Sequence, residues 1–398
     1  MQIRINKTKL RLYCGIIIFI LSGHLYLLVG QVMERFFLIV SIPFFYKEYG
    51  IIFCYIKRRW IDNLHLVFII CFFIDVALHF TATPIIYAIG MLYVWVISFR
   101  IIPYVGKKYG IEFYEWIYKL NLVISLLVIG GSFLVEPIKL RNYTGFFVNP
   151  NAFGNYVAFS IAFLFPIFLH CLKQNNKTHN FYILIFLLLI FSVVISSSRT
   201  AFLTVLSESI FFVFYVFKIT LTKKIKKKLF KKIFYGLLTI ILFIVFVLCF
   251  TDFLDLLNNA IFNKFVHLSD NQLNGRDEYW KYIWNNSGIF EDGVKDIGAA
   301  HNVYFGLIDQ FGKLAGIIYL LFIVFSFIKV FLLSLNPNRG FWSYCVVFSG
   351  ITFILVSMTE NYLLTNSMLW FYIMIPIHEV IEDSRKKTLV NYEDKLYE

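Results

Sequence analysis

The feature that most constrains this chain is the recurrence of apolar runs, each long enough to cross a bilayer. A helix rises 1.5 Å per residue, so about 30 Å of hydrocarbon takes roughly 17–25 residues. About twelve such runs occur, near residues 12–29, 30–46, 64–80, 83–102, 117–135, 152–172, 181–197, 201–217, 233–252, 313–333, 341–358 and 366–381. In lipid every backbone polar group must be satisfied internally, and runs of this length do so as helices. The predicted fold is all-α: one polytopic integral membrane domain over 1–398 with a large structured outer loop. Composition agrees, with 59% hydrophobic and 15% charged residues, against about 25% charged in a soluble domain. So much apolar surface cannot be covered in water.

The first run follows Arg4, Lys7, Lys9 and Arg11, as in a signal peptide. No small-residue cleavage pattern comes after it, so a retained span is expected. With the N-terminus inside, the inner segments hold about 28 of the 37 Lys and Arg residues. Both termini are then cytoplasmic. The net charge of +13 is densest in the lysine run at 223–232, between two apolar stretches. That placement predicts a cytoplasmic loop touching anionic lipid, and no nucleic-acid partner. Cys14, Cys54, Cys71, Cys171, Cys249 and Cys345 lie in or beside apolar stretches without CxxC spacing. They read as small buried hydrophobes.

The largest segment outside the spans is 253–312, on the predicted outer side. Within it Tyr279, Trp280, Ile283 and Trp284 recur at one face of a helix that Gly275 and Asp277 bracket. A second helical pattern, with Val303, Leu307, Ile308 and Phe311, follows His301. The loop is expected to form short helices on the membrane surface, with Trp280 and Trp284 anchoring there or stacking on sugar.

Outer cations are few. Arg141 precedes the sixth run, Arg199 closes Ser196-Ser197-Ser198-Arg199, Arg276 opens the Trp-rich helix, and His301 precedes Asn302. Arginine at membrane depth is costly and faces a cavity or a partner. It also binds phosphate oxygens bidentately, which suits a lipid-linked pyrophosphate. Asn149-Pro150-Asn151 reads either as a helix cap or as amides lining a sugar site. Glu208, inside an apolar run, needs a partner, and Arg199 or Arg276 is expected to supply it. Glu360 follows the eleventh run and can orient an arginine or a histidine. Asp75 and His79 lie i,i+4 and are too few for a metal site, so a structural hydrogen bond is expected. No GxxxxGK[ST], Asp-x-Asp, HExxH or GxSxG occurs, which removes the P-loop, the metal–nucleotide-sugar clamp, the zincin motif and the hydrolase elbow.

In order, Gly145…Asn149-Pro150-Asn151, Ser198-Arg199, Gly275-Arg276…Trp280, Gly288/Gly293/Gly298 with His301-Asn302 and Gly312, and Glu360 with Asn366 resemble the O-antigen ligase and polysaccharide repeat-unit polymerase family (Wzy-type membrane glycosyltransferases). The resemblance covers about 145–370. It implies a glycosyltransferase on the outer face of the bacterial cytoplasmic membrane, with an undecaprenyl-pyrophosphate-linked oligosaccharide as donor and no metal or other cofactor. His301 is expected to take the acceptor proton and Arg199 and Arg276 to hold the pyrophosphate, with Asn149, Asn151 and Asn302 as amides of the site, Glu208 and Glu360 holding the arginines, and the outer Arg141 as a further substrate-binding candidate. A flippase and a chain-length regulator are the partners this implies. The expected activity is polymerisation of repeat units into capsular or O-antigen polysaccharide. A ligase would differ only in acceptor. A lipid-linked oligosaccharide flippase should carry midplane charges and two similar halves, and neither is visible. A scaffold would not need His301.

Overall fold

The computed structural model describes residues 7–29, 31–50, 60–80, 82–174, 179–222, 276–291, 300–335 and 342–360. The predicted spans at 233–252 and 366–381, the lysine run at 223–232, Asn366, and the 253–275 and 292–299 parts of the outer loop lie outside the described residues.

The described chain is all-α. Its helices are α1 (Lys7–Val29), α2 (Gln31–Ser41), α3 (Trp60–His79), α4 (Ala82–Val96), α5 (Ile102–Tyr109), α6 (Ile111–Val135), α7 (Pro150–Gln174), α8 (His179–Ser196), α9 (Arg199–Thr222), α10 (Arg276–Asn286), α11 (Val303–Phe311), α12 (Lys313–Ser334) and α13 (Trp342–Ser357). Five stretches are long and apolar enough to cross a membrane: Ile85–Gly106, Glu112–Val135, Pro150–Leu172, Arg199–Lys218 and Lys313–Leu332. The chain is a multi-pass membrane protein by this criterion. The other predicted spans among the described residues also fall on helices. Several helices run past their apolar stretch by a turn, because a helix continues into the headgroup region where hydropathy falls. Thus the 201–217 run lies within Arg199–Thr222.

Two details depart from uniform spans. The second span is broken: α2 ends at Ser41 and a 3-10 turn, Ile42–Phe45, carries Pro43 at its start, where proline removes a backbone donor. The fourth contains a π-helical turn, Ile97–Ile101, joining α4 to α5. The turn buries Arg100, whose guanidinium lies 4.6 Å from the Trp95 ring centre.

The centre of the bundle is α7, buried along its whole apolar length. It runs parallel to α9: Gly154 packs beside Ala201, and the Phe165 ring stacks on Phe212 at 4.5 Å. The antiparallel α13 closes the group, with Phe348 at 5.3 Å from Phe165. On the other flank, His24 of α1 joins Tyr156 of α7 (Nδ1···Oη 2.6 Å) and Asn121 of α6 (Nε2···Oδ1 3.3 Å). These buried polar atoms satisfy one another across three helices, which fixes their relative rotation.

The two ends of the bundle are named for the orientation that the lysine and arginine distribution predicts. At the inner end Arg11 pairs with Glu48 at 2.6 Å. There too Lys218 donates to the Ser334 carbonyl at 2.8 Å, beside a 2.5 Å contact between the Tyr215 and Ser334 hydroxyls. The outer end gathers the starts of α7 and α9, the end of α13, and the pair α10–α11.

Candidate functional site

Each outer turn has a local cause. Only Ser197 and Ser198 separate α8 from α9. Ser197 has φ +56°, the left-handed region that bulky residues avoid. Ser198 caps α9, its Oγ accepting from the Ala201 N–H at 3.3 Å, as a serine before a helix does. The turn is pressed onto α7 because residue 154 is glycine. A Cβ there would meet Ser196 Oγ at 2.6 Å and Ser198 Cβ at 2.7 Å. Arg199 is therefore the first residue of α9. A cation at a helix N-terminus opposes the helix dipole, so helix stability does not account for Arg199. Guanidinium and N-terminal amides together suit an anion.

The second element is α10, docked on α11. The Trp280 indole N–H donates to the Ala300 carbonyl at 2.7 Å, and its ring stacks on Phe305 at 5.3 Å. Ile283 is buried with Ala300 and Ile308. The corner after α11 needs glycine: Gly312 has φ +89°, and a Cβ there would meet the Ile289 carbonyl oxygen at 2.2 Å. The Lys313 N–H then reaches the Gly288 carbonyl at 3.0 Å. Arg276, the first residue of α10, is held over the site by this docking. Both predicted outer helices are thus present. Trp280 is half-buried and works within the cap, with one face on Phe305. Trp284 is exposed, with the Lys313 ammonium 5.4 Å from its ring centre.

The third element is the start of α11. His301 adopts φ +46°, a sparsely populated conformation for a residue with a side chain. Asn302 then caps the helix, its Oδ1 accepting from the N–H groups of Tyr304 (2.9 Å) and Phe305 (3.1 Å). Its Nδ2 donates to the Met358 carbonyl at 3.1 Å, tying α11 to the end of α13. The strained turn presents His301 at the surface, with Nδ1 3.9 Å from Glu360 Oε2.

Electrostatics join these pieces. Arg276 acts on Arg199, His301 and Glu360 alike, so the four ionisable groups occupy one neighbourhood. Asn151, at the start of α7, hydrogen-bonds the Glu360 carboxylate. Burial and the nearby Arg276 charge hold the His301 imidazole below its ordinary pKa. Burial raises the Glu360 carboxyl, opposed by Arg276 and Asn151. His301 is consequently neutral at neutral pH and able to accept a proton.

The structure therefore brings together Arg199, Arg276, His301, Glu360 and Asn151. It gives other predicted site residues different work. Asn149 caps α7, its Oδ1 accepting from the Ala152 N–H at 2.8 Å. Asn302 is 5% exposed and is engaged as the cap of α11. Arg141 is exposed on the loop between α6 and α7. It stands beside the α8–α9 turn, where the Tyr143 N–H donates to the Ile195 carbonyl at 3.0 Å. The expected arginine partner of Glu208 is corrected. Glu208 lies nine residues along α9 from Arg199, about 13 Å away at 1.5 Å per residue, and it is fully buried against the Thr352 hydroxyl of α13. Asp75 is buried facing the backbone of Glu291, so its contact is with the outer cap.

Glu136 was missed. It accepts from Thr144 Oγ1 at 2.9 Å and the Gly145 N–H at 2.7 Å, and from Lys139 at 2.5 Å. It organises the loop that leads to Asn149. The Lys139 contact and these hydrogen bonds hold its carboxyl down at about 2. An acid immediately after a span, with lysine at i+3, was the available signal. Compared with protein-family models, curated proteins and solved structures, the chain matches none.

Proposed function

We propose that this chain is a polymerase of the bacterial cytoplasmic membrane. It joins undecaprenyl-pyrophosphate-linked oligosaccharide repeat units into surface polysaccharide on the outer face, with both termini cytoplasmic. The observation that carries the reading is the convergence of Arg199, Arg276, His301, Glu360 and Asn151, from five separate chain segments, at one end of an apolar bundle.

The chemistry follows from those groups. Two guanidiniums within electrostatic range repel each other, and a bound polyanion relieves that repulsion. Arg199 and Arg276 hold the donor pyrophosphate and stabilise the charge that builds on it as it leaves. His301 takes the acceptor hydroxyl proton. The acceptor oxygen bonds to the anomeric carbon while the carbon–oxygen bond to pyrophosphate breaks, and the electron pair departs with the lipid pyrophosphate. A single displacement inverts the anomeric centre. Glu360, next to both His301 and Arg276, orients them. The order of outer-side motifs from Gly145 to Glu360 supports the same reading.

Deletion of the gene, with wild-type and His301→Ala add-back, tests it on size-resolved surface and lipid-linked glycans. Single repeats on their normal anchor, with long chains restored only by the wild type, are expected. Long chains retained on the carrier lipid would assign a ligase. Repeats trapped on the cytoplasmic side would assign a flippase. Full rescue by both His301→Ala and Arg199→Ala would remove this site from the reaction.

A further inference from the structure

Below the outer cluster, three helices enclose buried polar atoms that the reaction above does not use. The stripe of α9 that faces α7 and α13 carries Ala201, Thr204, Glu208 and Phe212, spaced at helical intervals. Ala201 packs against Gly154, Glu208 meets Thr352, and Phe212 stacks on Phe165. Asn155 lies one turn below Asn151 on the same face of α7. Asn155 is 1% exposed, and Thr204 and Glu208 are 0% exposed. Among the described residues, Asn155 Oδ1 and Nδ2, Thr204 Oγ1 and Glu208 Oε2 have no hydrogen-bond partner.

Orphaned polar atoms at this depth are costly. Others occur elsewhere in the bundle, and these belong to α7 and α9 beneath the outer cluster. Asn155 stands just under the outer cluster. Thr204 lies one helical turn above Glu208, and Glu208 is at the bottom. Gly154 is packed tightly against the α8–α9 turn, and below it the α7 side of the seam carries the buried small residues Ala158 and Ala162. A water needs two to four polar partners, and this set provides them in sequence.

We propose that Asn155, Thr204 and Glu208 line a water-filled inlet that descends about 13 Å from the outer cluster, nine residues along α9 at 1.5 Å per residue, to the Glu208 carboxyl. Water in the inlet bridges Glu208 Oε2 to Thr204 Oγ1 and Thr204 to the Asn155 amide. Thr352 holds the other carboxyl oxygen from α13. The inlet puts an acid inside the bundle in contact with the outer face. This assignment does not rest on the glycan-polymerising reading, because it concerns access and not turnover.

Chemical access tests it. Asn155→Cys and Thr204→Cys are treated from the outer face with a small membrane-impermeant methanethiosulfonate. Leu203→Cys, on the lipid-facing side of the same turn, is the comparison, and the unsubstituted chain is the blank. Both inlet cysteines are expected to react faster than Leu203→Cys. Equal rates would overturn the inlet. The unsubstituted chain gives a second measurement independent of folding in the variants. With a water-soluble carbodiimide and a small amine, Glu208 is expected to be labelled alongside the exposed Glu278. Labelling of Glu278 without Glu208 would overturn the inlet.

Discussion

His301 Nδ1 stands 3.9 Å from the Glu360 carboxylate, across the seam where the start of α11 meets the end of α13. Asn302, the next residue, crosses the same seam to the Met358 carbonyl. A hydrogen-bonded cap thus fixes the backbone on which the histidine stands, while the ring itself remains reachable.

The position of Arg276 sets the pH behaviour of the site. Its charge and burial both lower the His301 pKa, so the base form persists below pH ~6.5, the ordinary histidine value. Under the proposed reading, activity is expected to fall as pH drops through the folded-state pKa. Arg276→Gln removes a positive neighbour, raises that pKa and moves the acid limb of the pH–rate profile upward. Chain elongation in isolated membranes, measured against pH for both proteins, checks this. His301→Ala should lower the rate by roughly 10²–10⁴-fold, the usual contribution of a general base. An acid limb that stays put in Arg276→Gln would mean another group titrates.

Arg199→Lys keeps the charge and loses the planar fork. If pyrophosphate is gripped bidentately, the substitution costs about 1.5–3 kcal/mol, as for a hydrogen bond to a charged group. The loss should appear chiefly as a raised KM for the lipid-linked donor. Steady-state elongation over a donor series measures it, and an unchanged KM would leave Arg199 with a structural role.

Gly154→Ala places a methyl carbon within 2.6 Å of Ser196 Oγ and 2.7 Å of Ser198 Cβ. Overpacking of this kind costs about 1–3 kcal/mol. The α8–α9 turn would move away from α7 and carry Arg199 with it. A lowered Tm in detergent together with lost elongation is expected. Ala158→Gly, deeper on the same helix, should lower the Tm and spare elongation.

Asn302→Ala removes the acceptor for two helix N–H groups and the donor to Met358. A lost cap alone costs about 0.5–2 kcal/mol. Asn302→Asp keeps the acceptor and gives up the donor, so its Tm should fall between wild type and Asn302→Ala. If the aspartate variant were as unstable as the alanine, the tie to α13 would outweigh the cap.

The helices that five of the predicted spans form among the described residues were legible because a lipid-buried backbone must satisfy its own hydrogen bonds, and its apolar signature is written locally. The two outer helices were legible for the same reason: Tyr279, Trp280, Ile283 and Trp284 repeat at helical spacing within a single turn or two. What each polar residue does was harder to see. The partner of Glu208 is Thr352, 144 residues away, and no local pattern distinguishes that pairing from one with a nearby arginine. The His24–Tyr156–Asn121 network joins three helices that are adjacent only after packing. Asn149 reads in the sequence either as a cap or as a substrate amide and Asn302 as a substrate amide; each precedes a helix and caps it, which is the demand that position makes first. Arg199, Arg276, His301, Glu360 and Asn151 stood out as candidates because ionisable or amide groups at span ends have few other reasons to be there. Their convergence required the fold.

One consequence concerns α9 as a machine part. Its first turn is wedged against Gly154 of α7, its middle is clipped to Thr352 through Glu208, and its last turns are fastened to Ser334 by Tyr215 and Lys218. A rod clamped at three heights cannot slide like a piston or rotate like a crankshaft. Arg199 therefore stands on a fixed post, and under the proposed reading the lipid-linked units arrive and depart around it.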